Sequence, residues 1–166
     1  MSRKIAETEN IVLIGMPGCG KTVIGRALAS LSNRALFDTD KVVEEMSGKT
    51  IEQIFAGEGE AAFRAWEKRA IVLAAKGDGR IIATGGGAVL DEENCRALTG
   101  NGRLYFIERD LKLLPTIGRP LSYDIKALYT ARLPIYLSWA AETIKNDASI
   151  KEAAQQIFDA HTKAYN

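Results

Sequence analysis

Eight consecutive residues, Gly15-Met16-Pro17-Gly18-Cys19-Gly20-Lys21-Thr22, bring three glycines, an ammonium and a hydroxyl into one short segment. Glycines let backbone N–H groups turn inward around phosphate oxygens, and a helix opening at Lys21 adds the positive end of its dipole. On that reading Pro17, Gly18, Cys19 and Gly20 form the cradle for a nucleoside triphosphate. Lys21 reaches its β- and γ-phosphates, and the Thr22 hydroxyl ligates Mg²⁺. The spacing is that of a Walker A loop, which carries weight only between a strand and a helix. Both are expected here, because the apolar run Ile11 to Ile14 precedes the loop and an amphipathic stretch from Lys21 to Leu31 follows it. Cys19 reads as a small loop residue, since no base is suggested beside it.

Asp38 and Asp40 close a second apolar run that starts at Ala35. Residues two apart on a strand share a face, so both carboxylates are expected to look toward the phosphate loop. One would carry Mg²⁺ through water, and the other would orient or deprotonate an acceptor hydroxyl, the two tasks that phosphoryl transfer requires. Asp40 also suits the N-cap of a helix over Lys41 to Met46, and a capping aspartate can do chemistry as well.

Arg64 and Glu67 share a helix face, and by themselves read as a solvated ion pair. Gly85-Gly86-Gly87 follows the short strand Ile81 to Ala83 and offers more backbone freedom than a turn needs, which implies close approach of a ligand. Arg119 lies in the stretch Pro115 to Tyr123, which reads as a lid that closes over the nucleotide and excludes water. Arg132 precedes Pro134, where its planar fork can grip a carboxylate with two hydrogen bonds. Taken singly, each arginine reads as a surface residue.

These groups need a scaffold. Strands are expected at Ile11 to Ile14, Ala35 to Asp38, Ile81 to Ala83, Leu104 to Ile107 and, more weakly patterned, Glu142 to Lys145. Helical periodicity fills the intervals at Lys41 to Met46, Ile51 to Phe55, Glu60 to Ala75, Glu92 to Leu98, Ile125 to Ala140 and Ile150 to His161. Thr50 with Gln53, and Ser149 with Glu152, match the capping box of a helix start. Pro134 is expected to end or kink its helix. Alternating short apolar strands and helices predict an α/β fold with a five-stranded parallel sheet between two helical layers.

The 166 residues suit one domain over 1–166. Lys and Arg number 22 against 21 Asp and Glu, so a net charge of +1 supplies no general field for nucleic acid or an anionic membrane. No apolar run approaches a membrane span of roughly 20 residues, and the first ten residues lack a signal-peptide core. Cys19 and Cys95 are too few for a disulfide framework, which points to a reducing, cytoplasmic setting. The guanine-reading segment Asn-Lys-x-Asp and the switch Asp-x-x-Gly of GTPases are absent from the sequence. His161 and Cys95 read as ordinary helix residues.

In chain order, Gly15 to Thr22, Asp38-Thr39-Asp40, Phe63-Arg64-x-x-Glu67, Gly85-Gly86-Gly87, Arg119-Pro120-Leu121 and Arg132-x-Pro134-x-Tyr136 resemble the shikimate kinase family. The resemblance implies a nucleoside monophosphate kinase-like P-loop fold and ATP-dependent phosphorylation of the 3-hydroxyl of shikimate. It implies a lid at about 112–125 and substrate-binding helices at about 40–75, in a monomer. By that likeness Asp40 binds the acceptor hydroxyls as catalytic base, Lys21 and Arg119 serve the phosphates, and Thr22 and Asp38 serve Mg²⁺. Arg64, Arg132 and the glycines Gly85, Gly86 and Gly87 hold shikimate. The interval from Arg119 to Arg132 is shorter than the family's, Lys112 stands where many relatives place an arginine near adenine, and the Asp-Thr pair usual after the last strand is missing. Without the resemblance, a kinase for another hydroxylated acid or sugar, or a nucleotide-binding regulatory module without catalysis, fits the same phosphate loop.

Overall fold

The computed structural model describes residues 6–115 and 124–165. β1 (Asn10–Ile14) is buried along its whole length, as five apolar or amide-bearing residues with no charge among them require of a central strand. The phosphate-loop segment leads from it into α1 (Lys21–Ser32). β2 (Leu36–Asp38) runs directly into α2 (Thr39–Ser47), and α3 (Ile51–Glu58) and α4 (Glu60–Ala75) follow. β3 (Ile81–Ala83) gives way to a short turn of 3₁₀ helix at Ala88–Leu90 and then α5 (Glu92–Gly100). β4 (Gly102–Glu108), a 3₁₀ turn at Leu111–Leu113, α6 (Ile125–Trp139), β5 (Glu142–Lys145) and α7 (Ile150–Lys163) complete the order.

The five strands are all parallel, in the order β2-β3-β1-β4-β5. α1 packs on α7, and α4 packs on α5, so helices cover the sheet as a three-layer α/β fold. The main core runs through β1, β3 and β4, with Tyr105, Phe106 and Tyr136 among its largest fully buried side chains. A second, smaller core of Val43, Ile54, Phe63 and Ala70 joins α2, α3 and α4 into one unit. Among the described residues no helix is long and apolar enough to cross a membrane.

The expected strands and helices are present, with three differences of physical interest. α2 starts at Thr39, not Lys41, because Asp38 is the N-cap and accepts from the backbone N–H of Asp40; the capping role does not fall to Asp40. Pro134 neither ends α6 nor breaks it, since the helix continues to Trp139. The capping box of Thr50 and Gln53 forms in both directions, and the Ser149 hydroxyl accepts from the backbone N–H of Glu152. Arg119 and most of the lid stretch lie outside the described residues.

Candidate active site

Parallel strands deliver all their carboxyl ends to one edge, the place where open α/β sheets bind ligands. Here that edge carries Gly15 after β1, Asp38 at the end of β2, Thr84 after β3, Arg109 after β4 and Asn146 after β5. Thr84 ties β3 to β1 through its amide at 3.2 Å and its hydroxyl at 2.9 Å, both donating to the Leu13 carbonyl. That pair sets the triglycine segment beside the phosphate loop. A cavity of about 500 Å³ opens there, lined by Lys21, Thr22, Asp38, Asp40, Arg64, Glu67 and Arg132 as well as Pro17, Gly18, Gly20 and Gly85 to Gly87. Phe55 and Phe63 provide an apolar wall.

The phosphate loop is braced from behind. Lys21, only 7% exposed, donates through Nζ to the Gly15 and Met16 carbonyls, each at 2.8 Å, with Cys19 Sγ at 3.6 Å. Gly20 has φ +104, and a Cβ there would stand 2.6 Å from Asn146 Nδ2. Asn146 also donates to the Cys19 carbonyl at 2.8 Å. Cys19 is fully buried and does not line the cavity, its amide donating to the Met16 carbonyl at 3.2 Å.

Thr22 and Asp38 converge. The Thr22 hydroxyl donates to Asp38 Oδ2 at 2.8 Å, while Oδ1 of the same carboxylate caps α2. A hydroxyl and a carboxylate fixed together are hard oxygen donors, and Mg²⁺ is ordinarily held by one or two such groups with waters and substrate phosphates completing its shell. No cluster of three or more His, Cys, Asp or Glu suited to a metal exists among the described residues. The donor set therefore fits a cation shared with a phosphate and not a dedicated protein cage.

Asp38 and Asp40 reach the cavity by a route other than shared strand face. β2 ends at Asp38, and Asp40 sits in the first turn of α2, so the strand-to-helix junction turns both carboxylates inward. Asp40 Oδ1 is buried without a hydrogen-bond partner. Burial first, then the neighbouring carboxylates of Asp38 and Glu67, push its pKa up to about 6, against the pull of Lys21. A carboxyl that titrates near neutrality is suited to accept a proton in a phosphoryl transfer.

Arg64 and Glu67 are not a solvated pair. Glu67 is 1% exposed and accepts from Arg64 Nη1 through Oε1 at 2.7 Å, while its Oε2 has no partner. Burial raises the Glu67 pKa, and the Arg64 guanidinium opposes the rise. Arg132 on α6 is 4% exposed and faces the same cavity. Two guanidiniums thus meet from different helices. Gly85 lies between the two orphaned oxygens, for a Cβ on it would be 2.9 Å from Glu67 Oε2 and 3.0 Å from Asp40 Oδ1.

Three contributors escape the sequence reading. Asn146 follows the last strand, so its place at the carboxyl edge gave a signal once the sheet was drawn. Arg109 lines the cavity and donates to the Gly18 carbonyl at 3.4 Å, although nothing in its local sequence marks it. The burial of Glu67 depends on α2 and on the segment at Gly85, which lie far from it in sequence.

A phosphate cradle, a fixed hydroxyl–carboxylate pair, a buried carboxyl and a two-arginine pocket on one three-layer sheet edge define a P-loop kinase of small molecules. The comparisons narrow the class. A family model for shikimate kinase matches residues 17–162, and the chain belongs to that family. It is 38% identical to the shikimate kinase of Symbiobacterium thermophilum over 90% of this chain and 94% of that one. It is 40% identical to that of Caldicellulosiruptor saccharolyticus, over 92% and 95%. Among solved structures, the shikimate kinase of Acinetobacter baumannii in complex with shikimate superposes with a TM-score of 0.90 at 30% identity, covering 99% of this chain and 98% of the other. A gluconokinase from Sinorhizobium meliloti, at 15% identity and TM-score 0.60, shares the fold.

Proposed function

We propose that this chain transfers the γ-phosphoryl group of ATP to the 3-hydroxyl of shikimate, giving shikimate 3-phosphate and ADP. The observation that carries the reading is one cavity holding Lys21 and Asp40 within reach of two converging guanidiniums, Arg64 and Arg132. Phosphate binding alone leaves the acceptor open, whereas paired arginines select an anion, and shikimate is a hydroxylated carboxylate.

The residues divide the work. The amides of Gly18, Cys19 and Gly20 and the Lys21 ammonium hold the phosphates, and two of the three ammonium donors rest on the Gly15 and Met16 carbonyls. Thr22 and Asp38 are the Mg²⁺ donors, and the bound cation would neutralise charge on the β- and γ-phosphates. Asp40 orients the acceptor hydroxyl and takes its proton. Arg64 and Arg132 hold the acid's carboxylate, and Gly85, Gly86 and Gly87 allow the ring to approach the backbone. Arg119 supplies lid charge to the phosphates, as the family resemblance implies. Positioning and electrostatic stabilisation carry the rate in such transfers.

The family resemblance supports a single-domain monomer with a lid at about 112–125 and acceptor helices at about 40–75. Demand for ATP, together with two free buried cysteines, supports a cytoplasmic setting. ADP release, followed with ATP and Mg²⁺ across shikimate, quinate, gluconate and nucleoside monophosphates, tests the reading. Stimulation by shikimate alone is the expected result, and stimulation by another acceptor without shikimate refutes it.

A further inference from the structure

Tyr136 stands behind the acceptor end of the cavity. It is fully buried, its ring stacks on Phe106 with centroids 5.0 Å apart, and its hydroxyl donates to the Gly86 carbonyl with Met16 Sδ at 4.0 Å. A phenylalanine would fill this core equally well, so the hydroxyl serves its polar neighbours, the Gly86 carbonyl and the Arg132 guanidinium. Burial pushes the phenol pKa well above its ordinary value, which keeps it a donor throughout the working range.

Three successive glycines form the softest backbone available, and something must hold them in one conformation. Side chains hem this segment in, since a Cβ on Gly86 would collide with Pro17 and one on Gly87 with the Arg64 guanidinium. The Tyr136 hydrogen bond adds direction. A trans peptide points its C=O and the following N–H to opposite sides, and no cis bond occurs among the described residues. With the Gly86 carbonyl turned toward Tyr136 in the core, the Gly87 N–H points the other way, toward the cavity that Gly87 lines. Arg132 lies one helical turn before Tyr136 on α6, so the two are neighbours on one helix face. One turn of helix therefore sets both the guanidinium and the neighbouring amide.

We infer that Tyr136 is a positioning residue for the acceptor, its hydroxyl pinning the Gly86–Gly87 peptide so that the Gly87 N–H faces the same carboxylate that Arg64 and Arg132 hold. The inference rests on the reading that the acid's carboxylate binds at those arginines. Tyr136→Phe keeps the ring and its stacking and removes the clamp. It should raise the KM for shikimate about five- to tenfold, the effect of one lost hydrogen bond, with kcat and the KM for ATP within about twofold of wild type. Phe106→Leu disturbs the same core and spares the hydroxyl. It should lower Tm while leaving the KM for shikimate nearly unchanged. An unchanged KM in Tyr136→Phe, equal rises for both substrates, or an equal rise in Phe106→Leu would overturn the inference. If the wild-type enzyme turns over no shikimate, the parent reading fails; if it does and Tyr136→Phe matches it, only the role of Tyr136 fails.

Discussion

Asp40 holds its carboxyl in a place that suits catalysis and strains the fold, and Asp40→Asn separates the two effects. The carboxyl's pKa stands at about 6 in the native protein against an ordinary 3.8, chiefly from burial and then from Asp38 and Glu67. At 1.36 kcal/mol per pH unit that difference amounts to about 3 kcal/mol. The sign follows from linkage: between about pH 4 and pH 6 the native state binds more protons than the unfolded state, so stability falls as pH rises through that window. Above pH 6 the full cost is present, and below pH 4 it vanishes. Asn keeps the shape and removes the charge. The ligand-free variant should therefore be more stable at pH 8 by up to about 3 kcal/mol, or about 6–12 °C in Tm for a chain of this size, with the gain shrinking toward pH 4. Thermal melts of both proteins from pH 5 to 8.5, with chelator and without nucleotide, give the measurement. Turnover should fall by orders of magnitude in the same variant while ATP binding survives. A variant less stable than wild type at pH 8, or a gain that does not grow with pH, would refute the reasoning.

Gly85→Ala places a methyl group 2.9 Å from Glu67 Oε2 and 3.0 Å from Asp40 Oδ1; kcat/KM for shikimate should drop at least about tenfold, and ATP affinity measured by titration should stay. Arg64→Lys and Arg132→Lys should raise the KM for shikimate with little change in that for ATP, because an ammonium cannot make the two-pronged contact. Equal losses for both substrates would count against that division. Gly20→Ala must adopt φ +104 and meet Asn146 Nδ2 at 2.6 Å, so urea unfolding should show a loss of about 1–3 kcal/mol along with weaker nucleotide binding.

Short-range features were legible in the chain. The phosphate loop declares itself through glycine spacing because backbone freedom is a property of single residues, and α4 (Glu60–Ala75) follows from helical period alone. Five short apolar runs separated by helices imply a parallel sheet, since parallel neighbours need crossovers. Local capping chemistry gave the start of α3 at Thr50.

Tertiary structure decided the rest. Strand order β2-β3-β1-β4-β5 placed Asp38 on one side of the phosphate loop and Asn146 on the other, a pairing of residues more than a hundred positions apart. The turn from β2 into α2 brought Asp38 and Asp40 inward where strand alternation had suggested another geometry. Glu67, an ordinary surface acid by its spacing, became a buried partner of Arg64 beneath the glycine segment. Tyr136 and Arg109 found the Gly86 and Gly18 carbonyls only because β4 and α6 dock there. Backbone preference and periodicity are written in neighbouring residues, whereas burial, pKa and hydrogen-bond partnership depend on what distant segments bring within a few ångströms.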